Sequence, residues 1–74
     1  MTFGLAIEDA KNGYCLYREG WNGKNMHISM IKLYTADNVQ IDNSCLVLYN
    51  VQGKYNTWVP SITDILADDW KRVN

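Results

Sequence analysis

The chain has 74 residues, of which 47% are hydrophobic and 20% are charged, and its formal net charge is −1. Such a length makes one domain, residues 1–74, with a marginal core, and a near-neutral chain without a Lys/Arg run lacks the phosphate contacts that long nucleic acid requires. No apolar stretch approaches the roughly 20 residues that span a bilayer. The beginning, MTFGLAIEDAKNG, has no signal-peptide pattern, so we expect no membrane contact and a cytoplasmic location.

The first element is predicted to be a helix that Thr2 caps. Its apolar residues recur at i, i+3, i+4 and i+7 spacing and therefore share one face. They are Phe3, Ala6, Ile7 and Ala10. Lys11 suits the last turn, and Asn12 with Gly13 supplies the left-handed stop. Residues 14–18 are then rich in strand formers.

The middle of the chain predicts a hairpin, a loop and a central strand. Asn22-Gly23 is a strong hairpin signal, and a second strand follows from residue 26 to about residue 33. Residues 34–44 are polar and turn-like, which indicates a long loop or an irregular hairpin tip. Residues 45–49 are apolar on both faces. Such a strand is either central in its sheet or covered on its outer face by another subunit.

The last third predicts a short strand over residues 55–59, which Pro60 ends, and then a second helix. Ser61 and Asp64 fit a capping box at the helix start, with Asp in place of the usual Glu. The sequence predicts two helical turns with one buried stripe. That stripe consists of Ile62, Ile65 and Leu66.

Two acidic residues end this helix unfavourably, because the helix dipole disfavours negative charge at a C-terminus. Asp68 and Asp69 are therefore expected to serve another purpose, for instance a contact in a turn. Residues 70–73 form a last short strand. The predicted fold class is α+β, a small antiparallel β-sheet with two short helices.

The sequence offers few groups for catalysis or metal binding. His27 is the single histidine, and Cys15 and Cys45 form no C-x-x-C pair. Nucleophilic catalysis needs a nucleophile beside an oriented base, and structural zinc needs a cluster of ligands. We therefore expect a protein that is not an enzyme and has no metal site and no cofactor. Both cysteines are expected to be buried or half-buried thiols.

Residues 18–26, REGWNGKNM, place an aromatic ring between two cations in a predicted turn. In a structural interpretation, Trp21 folds back over the sheet. In a functional interpretation, Trp21 stacks on a planar base, Arg18 or Lys24 meets a phosphate, and Asn22 reads a base edge or a ribose. Stacking of a base on an aromatic ring is worth about 1–3 kcal/mol. Composition leaves both interpretations open.

The start of the second helix carries a similar ambiguity. Trp58 precedes it, and backbone N–H groups at a helix start can hold an anion. Asp64 supplies negative charge at the same end, so it either caps the helix or accepts a hydrogen bond from a ligand hydroxyl.

Three blocks of the sequence together resemble a known family. They are F-x-x-A-x-x-x-x-x-N-G over Phe3–Gly13, R-x-G-W-N-G-K-x-M over Arg18–Met26, and W-x-P-S-x-T-D-x-L-A-x-D-W over Trp58–Trp70. This order is similar to that of the small phage and prophage domain whose characterised members are Thoeris anti-defence proteins of the second type. The resemblance covers nearly the whole chain apart from residues 34–44.

The resemblance implies both a function and an assembly. Members of the family are sponges, which bind cyclic nucleotide signals of bacterial immune systems without cleaving them. Their ligands include a cyclic ADP-ribose isomer and cyclic oligonucleotides. Members are compact α+β domains that form homo-oligomers, typically tetramers, with ligand pockets at subunit interfaces. For this chain the resemblance implies a homo-oligomer, such as a dimer of dimers, in the host cell cytoplasm.

Combined with the family resemblance, the residues suggest specific roles. Stacking is expected from Trp21 and from one of Trp58 or Trp70, and phosphate contact from Arg18 or Lys24. Polar contacts to ribose or base are expected from Asn22, Thr63 and Asp64. The complete expected set is Arg18, Trp21, Asn22, Lys24, Met26, Trp58, Ser61, Thr63, Asp64 and Trp70.

The residues leave two other functions open. In one, the protein is a small interaction module whose aromatic residues form a hot spot for a protein partner. In the other, it hydrolyses the same signals that a sponge would hold.

Overall fold

A computed structural model describes residues 1–21, 25–41 and 45–73. The elements in chain order are α1 (Phe3–Lys11), β1 (Leu16–Arg18), β2 (His27–Ile31), β3 (Cys45–Tyr49), β4 (Tyr55–Thr57), α2 (Ile62–Leu66) and β5 (Trp70–Arg72). The strands form one antiparallel sheet in the order β4-β3-β2-β1-β5. The predicted α+β class is confirmed, whereas the predicted Asn22-Gly23 turn lies outside the described residues.

Helix α1 begins and ends as its local sequence predicts. The Thr2 side chain accepts a hydrogen bond from the Leu5 N–H at 3.4 Å, which satisfies one unpaired donor of the first turn. Gly13 follows the helix at φ 94°, a conformation that favours glycine. The inward face of the helix presents Ala6 and Ala10, whose small side chains let α1 lie close to the sheet.

The core lies between the two helices and one face of the sheet. Its fully buried side chains are Ala6, Ala10, Leu16, Ile28 and Trp70. Helix α1 packs on this face, and α2 contacts it through the side chains of Arg18 and Trp70. Because side chains alternate along a strand, Tyr17, His27 and Tyr49 lie on the opposite face. Cys15 and Cys45 are half-buried free thiols, as predicted.

Strand β3 has neighbours on both sides, since it pairs with β2 and β4. This agrees with the first of the two explanations for its apolar sequence. The connection before it contains an irregular hairpin tip, in which Tyr34 is bridged to Gln40 and the Thr35 N–H donates to the Val39 carbonyl at 2.8 Å. Several strands are shorter than predicted; β2, for example, ends at Ile31.

Helix α2 has its predicted cap but not its predicted buried face. Ser61 and Asp64 form the capping box, which confirms that prediction. The predicted two turns reduce to five residues, and the predicted stripe is wrong, because Ile62 is 76% exposed and Leu66 is 78% exposed, with Ile65 47% exposed. The side that faces the protein carries Asp64, which pairs with an arginine of β1. An ion pair, rather than apolar burial, therefore sets the orientation of α2.

The same leucine-to-alanine change should have opposite consequences at two positions. Leu16→Ala empties a fully buried site and should lower the free energy of unfolding by about 2–5 kcal/mol, whereas Leu66→Ala on the exposed side of α2 should change it by about 0.5 kcal/mol or less. Urea denaturation of the two variants, in solution dilute enough that the chain is monomeric, measures this. Equal losses would contradict the orientation of α2.

Candidate functional site

Arg18 lies between two aspartates that come from the end of the chain. Its Nε donates to Asp69 Oδ1 at 2.8 Å, and its Nη1 donates to Asp64 Oδ1 at 3.0 Å. The Arg18 side chain is 17% exposed, and the carboxylates are 13% and 27% exposed for Asp64 and Asp69. We call Arg18, Asp64 and Asp69 the clamp. It joins β1 to α2 and to the segment that follows α2.

Asp69 also fastens the chain that follows β1. Its Oδ2 accepts from the Gly20 N–H at 3.1 Å, and its backbone carbonyl accepts from the Glu19 N–H at 3.2 Å. The expectation that the acids after α2 make a contact in a turn is thereby confirmed for Asp69. The turn is tight, since a Cβ on Gly20 would lie 3.2 Å from Asp69 Oδ2.

The clamp holds its three groups in their charged forms. Hydrogen bonds to Asp69 and to Asp64 raise the pKa of Arg18, and the bond from Arg18 lowers the pKa of Asp69. For Asp64, burial acts to raise the pKa, but hydrogen bonds from the Ser61 backbone, Arg18 and the Ser61 hydroxyl outweigh it and leave the pKa lowered.

The three tryptophans form one cluster beside the clamp. The Trp70 ring centroid lies 5.3 Å from that of Trp21 and 6.1 Å from that of Trp58, both edge to face. Trp70 is fully buried, and its Nε1 donates to the Asp64 carbonyl at 3.0 Å. Trp21 and Trp58 are half-buried. Of the two candidates for the second stacking ring, Trp58 is the one that solvent reaches.

A groove of about 630 Å³ runs from the β1–β2 connection onto the sheet face opposite the helices. Its described lining residues are Tyr17, Arg18, Glu19, Trp21, Asn25, Met26, His27, Tyr49 and Val73. Trp21 therefore fits both interpretations of its sequence, because it packs against the core tryptophans and also borders the groove.

An aromatic row crosses the face of the sheet beside the groove. The His27 and Tyr49 rings are stacked with centroids 5.0 Å apart and planes at 23°, and Tyr55 continues the row at 5.0 Å from Tyr49. The His27 Nδ1 lies 2.9 Å from the Asn25 carbonyl oxygen. A carbonyl can only accept, so Nδ1 carries a hydrogen in this contact.

The structure brings together part of the expected site. Arg18, Trp21 and Met26 border the groove. The other described members of the expected set are not among the lining residues. They are Trp58, Ser61, Thr63, Asp64 and Trp70. Ser61 and Asp64 instead cap α2. The expected contacts of Asn22 and Lys24 lie outside the described residues.

The groove also contains residues that the sequence did not single out, chiefly His27 and Tyr49. Strand alternation puts His27 and Ile28 on opposite faces, so the face on which His27 lies follows from the sequence pattern. The register that sets His27 opposite Tyr49 was not, because it depends on how β2 pairs with β3.

The fold and the groove define a small α+β domain with an aromatic-lined groove on one face of its sheet. Residues 1–73 match the family described as the Thoeris anti-defense 2-like domain, and the chain belongs to this family. It is similar to "Thoeris anti-defense 2" of Bacillus phage SP01, with 35% identity over an alignment of 85 residues that covers 100% of this chain and 96% of the relative. The family resemblance of the three sequence blocks is thus confirmed.

One negative finding concerns membranes. Within residues 1–21, 25–41 and 45–73, no helix is long and apolar enough to cross a bilayer.

The clamp should make the stability of the protein sensitive to acid. Because the pKa values of Asp64 and Asp69 lie below their usual 3.8 in the folded state, their stabilisation is present above that value. It is lost as the pH falls through 3.8 towards the lowered values. Asp69→Asn should therefore be less stable than the parent at neutral pH and lose less stability on acidification. Urea unfolding across this pH range measures both effects.

Asp68→Asn is the matched control, because it changes the neighbouring, exposed aspartate. It should follow the parent's pH dependence. A parent and an Asp69→Asn variant with parallel pH profiles would contradict the stabilising role of the clamp.

Proposed function

We propose that this protein is an anti-defence sponge that binds a cyclic nucleotide signal of a bacterial immune system and holds it without cleaving it. Membership of the Thoeris anti-defense 2-like family supports an anti-defence role. The observation that carries the proposed mechanism is the groove of about 630 Å³ that Trp21 borders. Ligand sites of small molecules are typically concave, largely apolar clefts of this size with a few polar groups.

The groove suits a ligand that contains a flat ring. Tyr17, Trp21, His27 and Tyr49 provide four ring systems along its lining. Each stacked base is worth about 1–3 kcal/mol, whereas a nanomolar complex requires about −12 kcal/mol. Stacking alone therefore does not suffice for sequestration. Hydrogen bonds to the ligand's charged groups have to supply much of the remainder.

We propose that the protein does not cleave its ligand. His27 and Glu19 are the groove residues that suit general base catalysis, but the His27 ring is stacked on Tyr49 with its Nδ1 at a backbone carbonyl, and Glu19 is paired with Lys71. Among the described lining residues, no serine, threonine or cysteine accompanies it as a nucleophile.

We further propose that the protein acts as a homo-oligomer, a dimer of dimers, in the host cell cytoplasm. The motivation within the chain is its exposed apolar surface around α2, where Val59 is 86% exposed and Leu66 is 78% exposed. Large apolar side chains that cluster on a surface favour a protein contact. The same surface would suit the rival function, an interaction module for a different protein.

Calorimetry with a panel of cyclic nucleotides tests the sponge. The panel should include cyclic ADP-ribose isomers and cyclic dinucleotides, and at least one member should bind with nanomolar to micromolar affinity. Heating the complex and analysing the supernatant by chromatography should then return the ligand intact. A recovered cleavage product would establish a hydrolase instead. Absence of heat across the panel, with a protein partner recovered by pull-down, would favour the interaction module.

Trp21 provides a residue-level test. Trp21→Ala should weaken binding about ten- to hundredfold, because one base of the ligand would lose the aromatic ring on which it stacks. Because Trp21 also packs against Trp70, Trp21→Phe should accompany it as a variant that keeps an apolar ring in the core. Tyr34→Ala, in the hairpin tip outside the groove, is the aromatic control and should bind like the parent. Unchanged affinity in a folded Trp21→Ala variant would refute the stacking role.

A further inference from the structure

We infer that Arg18 is a positioning residue, which fixes the chain from residue 18 to residue 21 against α2 and so determines where Trp21 borders the groove. It is not a ligand for phosphate. The inference builds on the proposed function for its meaning in binding, but its structural part can be tested without a ligand.

The electrostatics of the clamp oppose a role in phosphate binding. Two nitrogens of the guanidinium, Nε and Nη1, already donate to carboxylates at 2.8 and 3.0 Å. One positive and two negative charges give the clamp a net charge of −1. An anionic group that approached Arg18 would meet Asp64 and Asp69 within a few ångströms and be repelled by them. The largely buried clamp also limits the screening that water provides.

A series of hydrogen bonds connects the clamp to the backbone of Trp21. The Trp21 N–H donates to the Arg18 carbonyl at 3.1 Å, and the Gly20 N–H donates to Asp69 Oδ2 at 3.1 Å. The Glu19 N–H donates to the Asp69 carbonyl. Each residue between the guanidinium and the indole is thus tied to the clamp or to its neighbour. The backbone that carries Trp21 cannot shift without breaking one of these bonds.

The other side of the clamp is equally fixed. Asp64 Oδ2 accepts from the Ser61 N–H at 3.0 Å and from the Ser61 hydroxyl at 2.9 Å, while its Oδ1 accepts from Arg18. The Asp64 carbonyl accepts from Trp70 Nε1. One aspartate therefore caps α2, pairs with Arg18 and orients the buried indole. Arg18 is therefore bonded to an aspartate whose own position is fixed.

This arrangement explains why the chain has R-x-G-W at residues 18–21 and D-x-x-x-x-D at residues 64–69. The glycine is needed because a Cβ at position 20 would lie 3.2 Å from Asp69 Oδ2, closer than most side chains tolerate. Gly20→Ala is therefore a mild perturbation, which keeps every charge but moves Asp69 or the turn by a few tenths of an ångström.

The ligand-free experiment uses fluorine NMR of fluorotryptophan-labelled protein, with the Trp21 signal assigned from a Trp21→Phe variant. Arg18→Lys, Asp69→Asn and Gly20→Ala should each shift or broaden the Trp21 signal. The matched control is Asp9→Asn, which breaks another two-bond Arg–Asp pair, that of Arg72 with Asp9 at 2.9 and 3.2 Å. It should leave the Trp21 signal in place. A Trp21 signal that stays in place in the folded clamp variants would overturn the inference.

The ligand experiment asks whether Asp69→Asn weakens or strengthens ligand binding. The probes are a cyclic ADP-ribose isomer, which carries phosphates, and adenosine, which does not. If Arg18 positions Trp21, Asp69→Asn should weaken the binding of both probes by a similar factor of about ten, because the stacking ring is displaced. If Arg18 contacts phosphate, removing the competing charge of Asp69 should strengthen binding of the phosphorylated probe and leave the affinity for adenosine unchanged. That result would refute the inference.

The two experiments separate the possible failures. If neither probe binds the parent, the proposed function fails for these ligands, but the fluorine spectra still decide whether the clamp positions Trp21. If Arg18→Lys or Asp69→Asn does not fold, Gly20→Ala still perturbs the clamp with all its charges present. Asp9→Asn, whose pair ties α1 to β5 away from the groove, should bind both probes like the parent.

Discussion

Trp70 is the buried side chain on whose contacts the rest of the structure depends. Its ring centroid lies 5.6 Å from that of Phe3 in α1, and the ring also packs against the two other tryptophans. Its Nε1 donates a hydrogen bond to the Asp64 carbonyl in α2. Its backbone N–H bonds to the Met1 carbonyl. Burying an indole removes about 150–250 Å² from water, worth roughly 4–6 kcal/mol at about 25 cal/mol per Å². Small domains have a total stability of about 5–15 kcal/mol, so this one side chain is a large part of it.

The sequence predicted the elements that depend on local signals. The cap at Thr2, the stop at Gly13 and the capping box of Ser61 with Asp64 all involve residues within a few positions of each other. The outward face of α2 could not be predicted in this way, because a helix of five residues has too few contacts for apolar periodicity to decide its orientation. The partner of Asp64 lies 46 positions away in the chain.

The groove shows the same division between local and distant information. Trp21 and Met26 lie in one recognisable block, so a motif could point to them. His27 and Tyr49 meet only because β2 pairs with β3 in one register, and a slip of that register by one residue would put the two rings on opposite faces of the sheet. The three tryptophans were indistinguishable in the sequence. Their separation into one buried ring and two half-buried rings follows from the packing around Trp70.

A chain of this length has little core with which to hold its groove rigid. This explains why three charges are placed in the clamp although their desolvation is costly. Desolvating an ion pair rarely adds net stability. It does fix geometry, because an arginine that donates to two carboxylates has few alternative positions. A site that is ordered before its ligand arrives loses less entropy on binding, which is what the proposed sequestration requires. The clamp beside Trp70 can therefore be understood as the means by which a small domain orders its groove.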